Sequence, residues 1–364
     1  MSGSPFLAQG SGSRGARAAA RRRRKRMRLL GAGALAVAIA AVATVVMLGR
    51  SSPTHGSASA STAQRTHAGG HKRRGANTTP THSRDGLTLG RPPLTLGLSE
   101  SHPVRVAFHH EPRAGLLFDL DTGRVLWARE PTRMLPIASL AKMMTALLVV
   151  RSRPSDAQVR IARSAVDAQG SKIGLLPLHK RVSIQTLLYG LLLPSGNDAA
   201  VALAEDVAGS VPRFVSEMNA EAAKLGLGCT RYTSPDGLDN GNSSCAADLA
   251  ELAGVDLEQP RIAAVARSAS AIRPLPIKGG KLYLYNNNPL LRYGYPGATG
   301  LKTGETEAAG LCLVGTAERH GVRLGVVLLH SPELGRQAAY LLNRGFEDVY
   351  HQTPIPEPPI PAGR

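Results

Sequence analysis

Residues 29–48 form a run of twenty apolar or small residues without one charge. As a helix, that length suffices to cross the ~30 Å hydrocarbon layer of a bilayer. Residues 21–28 ahead of it are basic at every position except Met27. Positive charge flanking a span holds that side in the cytoplasm. The expected order is a basic cytoplasmic segment at 1–28, a transmembrane signal-anchor at 29–49, and everything later outside the cell membrane, attached by a single pass. A cleaved signal peptide has the same charged and apolar parts, although its apolar core usually spans only ~7–15 residues. Ala58-Ser59-Ala60 resembles a cleavage site, so secretion after cleavage is the alternative. In both cases the body folds in an extracytoplasmic space.

The formal net charge of +18 suggests nucleic acid until it is located along the chain. Residues 1–50 hold ten Lys/Arg and no acids, and residues 51–110 hold seven Lys/Arg and two acids. Residues 111–364 hold 27 basic and 24 acidic residues. The body is close to neutral, which argues against a basic groove for nucleic acid or another anionic polymer. Residues 50–110 are rich in Ser, Thr, Gly, His, Arg and Pro and lack apolar periodicity, so a disordered linker is expected there. Seven of the eleven histidines fall in residues 51–110. No pair of them has convincing ligand spacing, so no metal or other cofactor is expected.

A globular domain is expected over 111–350, followed by a Pro-rich, unpacked tail at 351–364. Asp121-Thr122-Gly123 separates two apolar runs and predicts a β-hairpin over 114–128. Apolar periodicity predicts helices over 139–150, 183–193, 198–207, 214–225 and 336–346, with another starting at 246. Residues 310–317 and 322–329 predict a second hairpin. Strands near both ends, with helices between, imply an α+β fold: one antiparallel sheet assembled from distant segments, sandwiched by helices, with a helical lobe alongside.

Three short motifs carry chemistry. In Ser139-Leu140-Ala141-Lys142, a spacing of three puts the hydroxyl and the amine on one helix face. A serine needs a base to become a nucleophile, and burial can lower a lysine enough to serve. Ser195-Gly196-Asn197 lies between two predicted helices, where a hydroxyl can relay a proton and an amide can bind a peptide. Lys302-Thr303-Gly304 reads as an edge strand whose cation and hydroxyl hold a carboxylate, with Gly304 admitting a close backbone. Each has an ordinary reading when taken alone: a surface lysine after a serine, a helix N-cap, a strand ending in a turn glycine. Their occurrence in this order is the signature of penicillin-binding proteins and class A β-lactamases.

The resemblance extends beyond the three motifs. Leu135-Pro136-Ile137-Ala138-Ser139, Gly170-Ser171-Lys172-Ile173-Gly174, the run from Leu188 through Ala200, Ser234-Pro235-Asp236-Gly237-Leu238 and Gly297 through Gly304 are similar to the D-alanyl-D-alanine carboxypeptidase family of low-molecular-weight penicillin-binding proteins. The similarity covers residues 113–348 and implies the β-lactamase/transpeptidase-like fold. It implies that Ser139 is acylated by peptidoglycan stem peptides ending in D-Ala-D-Ala and by β-lactams, which act as covalent inhibitors. Lys142 is then the base and Ser195 the proton relay. Asn197 orients the acyl part, and Lys302, Thr303 and Gly304 form the carboxylate site. The backbone N–H groups of Ser139 and Glu305 form the oxyanion hole. The sequence departs from the family pattern at Ala141, usually Thr, and at Glu305 and Glu307, which put acids beside the carboxylate site. A β-lactamase and a catalytically silent wall-binding homologue are the alternative readings.

Three cysteines in an exported chain leave one unpaired. Cys229 and Cys245 flank a turn-rich loop and are expected to form a disulfide, with two unpaired small residues as the alternative. Cys312 lies in an apolar strand and is expected as a buried thiol.

Overall fold

Asp119 closes the first hairpin. Its carboxylate accepts hydrogen bonds from the backbone N–H groups of Asp121 and Thr122, both at 2.8 Å. That turn joins β1 (Ala114–Asp119) to β2 (Val125–Arg129), as the turn residues predict. The computed structural model describes residues 94–356 and 358–361. The expected segments 1–28 and 29–49, and the linker up to residue 93, lie outside the described residues. Among the described residues, no helix is long and apolar enough to cross a membrane.

After β2 come the short strand β3 (Leu135–Pro136), a 3₁₀ turn (Ala138–Ala141) and helix α1 (Lys142–Ser152). Next come β4 (Gln158–Arg160), α2 (Arg163–Asp167) and β5 (Arg181–Ser183). The helical lobe continues with α3 (Ile184–Leu192), α4 (Asn197–Ala208) and α5 (Val211–Lys224). The chain then forms β6 (Ser243–Ser244), α6 (Ala246–Leu257) and α7 (Pro260–Ala266). A two-stranded ribbon, β7 (Ser270–Pro274) and β8 (Lys281–Tyr285), leads to the short helix α8 (Pro289–Arg292). Strands β9 (Ala298–Thr306), β10 (Gly310–Arg319) and β11 (Val322–Leu329) precede α9 (Leu334–Arg344).

The main sheet is antiparallel with strand order β2-β1-β11-β10-β9. Sequence-distant strands thus pair at its centre, as expected. The second hairpin has the expected place. His320 and Gly321 both take positive φ, 48° and 79°, the combination whose twist suits a two-residue hairpin turn. The ribbon β7–β8 is absent from the sequence expectations, although Lys281-Leu282-Tyr283-Leu284-Tyr285 has the required alternation and buries Leu282 and Leu284.

The alternation of side chains along each strand divides the interior in two. Leu116, Phe118, Val314 and Val327 join the core built with Met143 and Leu147 of α1 and Leu249 of α6. Leu117, Leu313, Val326 and Leu328 join the other core, with Ala338, Leu341 and Leu342 of α9. Both faces of the sheet are therefore covered by helices, which is why its central strands read as nearly continuous apolar runs.

Two expected boundaries need correction. The segment 94–110, assigned above to the linker, packs on the body. The Val104 N–H bonds to Leu126 O at 3.0 Å, and Phe108 sits edge-on to Trp127 and Tyr340 with ring centroids 6.0 Å away. Leu94, Leu96 and Leu98 rest against the first core. The tail from 351 also packs. Arg319 donates to Thr353 O and Gln352 donates to Arg319 O, each at 2.9 Å, and Ile360 is buried. Leu94, Leu96 and Leu98, and then Val104, Val106 and Phe108, alternate with polar or small residues in a short period-two pattern set within linker-like composition, whereas residues 351–356 and 358–361 contribute apolar residues singly.

Cys229 and Cys245 form a disulfide with Cα atoms 5.6 Å apart, and Cys312 is a buried free thiol. Closing a loop of this size stabilises a fold by about 3 kcal/mol in the chain-entropy model. Thiol titration of the unfolded, unreduced protein is expected to find one thiol per chain. Three thiols would refute the bridge.

Candidate active site

The nucleophile candidate sits where a strand gives way to a helix. Ala138 takes φ +49°, which turns the chain out of β3 into the 3₁₀ turn that carries Ser139. The α-helix proper starts at Lys142, three residues later than expected. The spacing of three still brings the pair together, with Lys142 Nζ 2.8 Å from Ser139 Oγ. Lys142 is fully buried. Its Nζ also lies 2.7 Å from Asn197 Oδ1 and 2.6 Å from the Asp236 carbonyl.

These three contacts fit both protonation states: an ammonium donates to all three oxygens, and a neutral amine to two. A carbonyl oxygen can only accept, so Asn197 and Asp236 each take one N–H from the amine. A neutral amine has two N–H groups and one lone pair, and its lone pair is then left for the Ser139 hydroxyl. Burial pulls Lys142 from the ordinary lysine range down to about 7, while the negative charges of Asp236 and Asp198 act in the opposite sense. Desolvation thus outweighs two carboxylates.

The Asp236 contact is not legible in the sequence, although its segment belongs to the resemblance. Ser234 Oγ donates to Asp236 Oδ1 at 2.7 Å, and Thr145 Oγ1 of α1 donates to Pro235 O at 2.6 Å. Those bonds hold the loop over Lys142. Gly237 has φ +78°, and a Cβ there would lie 1.9 Å from Ala138 O. Only glycine lets this loop reach the nucleophile's turn.

The second motif is a strained turn. Ser195 takes φ +66°, a left-handed conformation that a non-glycine residue holds only when its surroundings enforce it. They do so through Gly196 N–H to Gly190 O at 2.9 Å and Asn197 N–H to Ser171 O at 2.7 Å. The N-cap of α4 is Gly196 without a side-chain cap, so the ordinary capping reading of Ser195 and Asn197 does not hold. Asn197 is 3% exposed, accepts from Lys142 and donates to Gln169 O at 2.6 Å. The resemblance implies that Asn197 orients the acyl part of a substrate, and its amide also positions Lys142. Asp198, not singled out in the sequence, accepts from Ile173 and Gly174 N–H at 2.9 Å each. It thereby fixes the loop that carries Ser171.

The third motif lies on β9, the edge strand expected for it. Lys302 is buried and donates to Ser195 Oγ at 2.9 Å and to Thr303 O at 2.6 Å. Burial, then the nearby charge of Lys142, holds it well below the usual lysine range. Gly304 has a further structural reason. A Cβ there would come within 2.9 Å of Ile137 O and 3.0 Å of Ser139 N. The missing side chain seats the strand against the nucleophile's own turn. Ser139, Ser195, Thr303, Gly304 and Glu305 all line one open cleft of about 460 Å³. A smaller cavity of 240 Å³, beside Leu94 and Leu120, holds none of these residues.

A serine paired with a buried lysine, beneath the edge of an antiparallel sheet covered by helices, defines a class: serine peptidases that use lysine where others use histidine. Residues 100–333 match the family model described as D-alanyl-D-alanine carboxypeptidase, and the chain belongs to that family. It is 36% identical over 257 residues to the D-alanyl-D-alanine carboxypeptidase DacF of Bacillus subtilis, covering 68% of this chain and 64% of the relative. It is 35% identical over 240 residues to DacB2 of Mycobacterium tuberculosis, covering 64% of this chain and 81% of the relative. The fold is similar to that of a point mutant of the Streptomyces K15 DD-transpeptidase, with TM-score 0.62 and 29% identity over 66% of this chain and 99% of that one. A carboxypeptidase structure from M. tuberculosis H37Rv gives TM-score 0.63 and 32% identity, covering 68% of this chain and 96% of that one.

The Lys142 amine is expected to titrate with a midpoint of about 7, against ~10.4 for a free lysine. Because the folded value lies below the unfolded one, the neutral, basic form grows in as pH rises through 7. Nitrogen NMR of lysine-labelled protein, with Lys142→Met to assign the signal, measures it. A midpoint near the free value would remove Lys142 as a base at neutral pH.

Proposed function

We propose that this protein is a serine-type D-alanyl-D-alanine carboxypeptidase that trims peptidoglycan stem peptides through an acyl-Ser139 intermediate. The observation that carries this reading is the buried Lys142 amine 2.8 Å from Ser139 Oγ, held there by Asn197 Oδ1 and the Asp236 carbonyl. Ser139 Oγ attacks the carbonyl between the two D-alanines while its proton passes to Lys142. The new O–C bond forms, and the backbone N–H groups of Ser139 and Glu305 receive the oxyanion. The C–N bond then breaks, and Ser195, held by Lys302, passes a proton to the departing amine. Lys302 and Thr303 hold the terminal carboxylate. Water releases the shortened peptide and restores the serine.

β-Lactams fit the same route as far as the acyl-enzyme. Class A β-lactamases clear that ester with a placed glutamate, typically in a Glu-x-x-Leu-Asn context, and the interval between the second and third motifs contains no such run. Fluorescent penicillin is expected to label the wild type and to leave Ser139→Ala unlabelled, with release of D-alanine lost in parallel. Lys142→Ala is expected to lose nearly as much. Mass spectrometry after mixing with benzylpenicillin is expected to find an adduct lasting minutes or longer. Rapid multiple turnover of the drug would favour a β-lactamase, and undiminished labelling of Ser139→Ala would sink the mechanism.

We also propose that residues 29–49 hold the protein in the cell membrane with the catalytic domain outside and residues 50–93 as a tether. The uncharged run behind a basic cluster supports this reading. The full-length protein is expected to sediment with membranes until detergent is added. A mature N-terminus near Ser61 would show cleavage and secretion instead.

A further inference from the structure

We propose that Glu305 sets the charge preference of the cleft, favouring donor peptides that carry an ammonium group and disfavouring those with an additional carboxylate. This inference rests on the peptidase reading above and concerns which donors it accepts. Successive residues of a strand face opposite ways. Gly304 faces the Ser139 turn, so Thr303 and Glu305 share the other direction, and both line the cleft. Glu305 is exposed, and its carboxylate has no ion-pair partner among the described residues. Glu307, also exposed, adds the same sign in the turn that follows the strand.

The opposing positive charge is limited. The two lysines nearest the chemistry are buried, and burial lowers Lys142 to about 7 and Lys302 well below its usual range. The other charged residue lining the cleft is Arg292, on α8, with its guanidinium 5.9 Å from the Tyr293 ring centroid. A substrate side chain in the cleft therefore meets one fixed negative charge on the strand that binds it and one positive charge on a separate element. At about 8 Å and an effective dielectric of about 40, one unit charge against another changes binding about five-fold.

The test uses three peptides of equal length ending in D-Ala-D-Ala, whose preceding residue carries a neutral, an ammonium or a carboxylate side chain. The wild type is expected to rank them ammonium, neutral, carboxylate by kcat/KM, about five-fold per step, and the spread is expected to shrink at high salt. Glu305→Gln is expected to abolish the preference for the ammonium peptide, leaving only the opposite bias of Arg292, and Glu305→Asp to keep it, since both leave the backbone N–H in place. Arg292→Gln is expected to widen the spread. Cleavage of all three peptides with a spread that Glu305→Gln leaves unmoved would overturn this inference alone. Cleavage of none, by a protein that is folded, would overturn the peptidase reading and this inference with it.

Discussion

The amine of Lys142 is the point on which the site converges. Three segments far apart in sequence supply its neighbours: its own turn through Ser139, the start of α4 through Asn197 and the 234–238 loop through Asp236 O. A buried ammonium is costly unless paired, and the usual relief is loss of the proton. The fold offers Lys142 two neutral carbonyl acceptors rather than a carboxylate in contact, so burial brings its amine down to about 7 and the neutral, basic form becomes accessible near neutral pH. The chemistry of the site is thus a consequence of where the chain buries one lysine.

The rest of the architecture keeps those three segments in place. The sheet separates two cores, and the one containing α1 and α6 also anchors the helical lobe that carries Ser195 and Asn197. The edge strand β9 must approach the Ser139 turn closely enough that even a methyl group on Gly304 would collide with it. Gly237 closes the same turn from the loop side. Two glycines therefore let a strand and a loop meet one turn, and the strained backbone of Ser195 completes the cleft.

Much of this is legible in residue order. The hairpin at Asp121-Thr122-Gly123, the β10–β11 pair and the main helices follow from apolar period and turn residues, because each such element is stabilised largely by its own pattern. The three motifs follow from their conjunction, since each alone has a commonplace reading. What residue order obscures is packing without a strong signal: the short alternations within the linker-like stretch 94–110, the single apolar residues of 351–356 and 358–361, and the carbonyl oxygen of Asp236. A backbone carbonyl is present at every residue, so no side-chain pattern can single one out.

Residue order alone is enough for most of the elements, the α+β class and, through the conjunction of the motifs, Ser139 and Lys142 as a pair, and it offers the Cys229–Cys245 bridge as one of two readings. Spacing along a helix and the counting of cysteines are properties of the chain. The meeting of distant segments is what makes Asn197 serve the lysine, gives Gly304 its role of making room for the nucleophile's turn, and puts Thr303 and Glu305 on one wall of the cleft. Those assignments depend on which segments come together and on how much water their meeting excludes. Desolvation, which brings the Lys142 amine to about 7, exists only once the chain has closed around it.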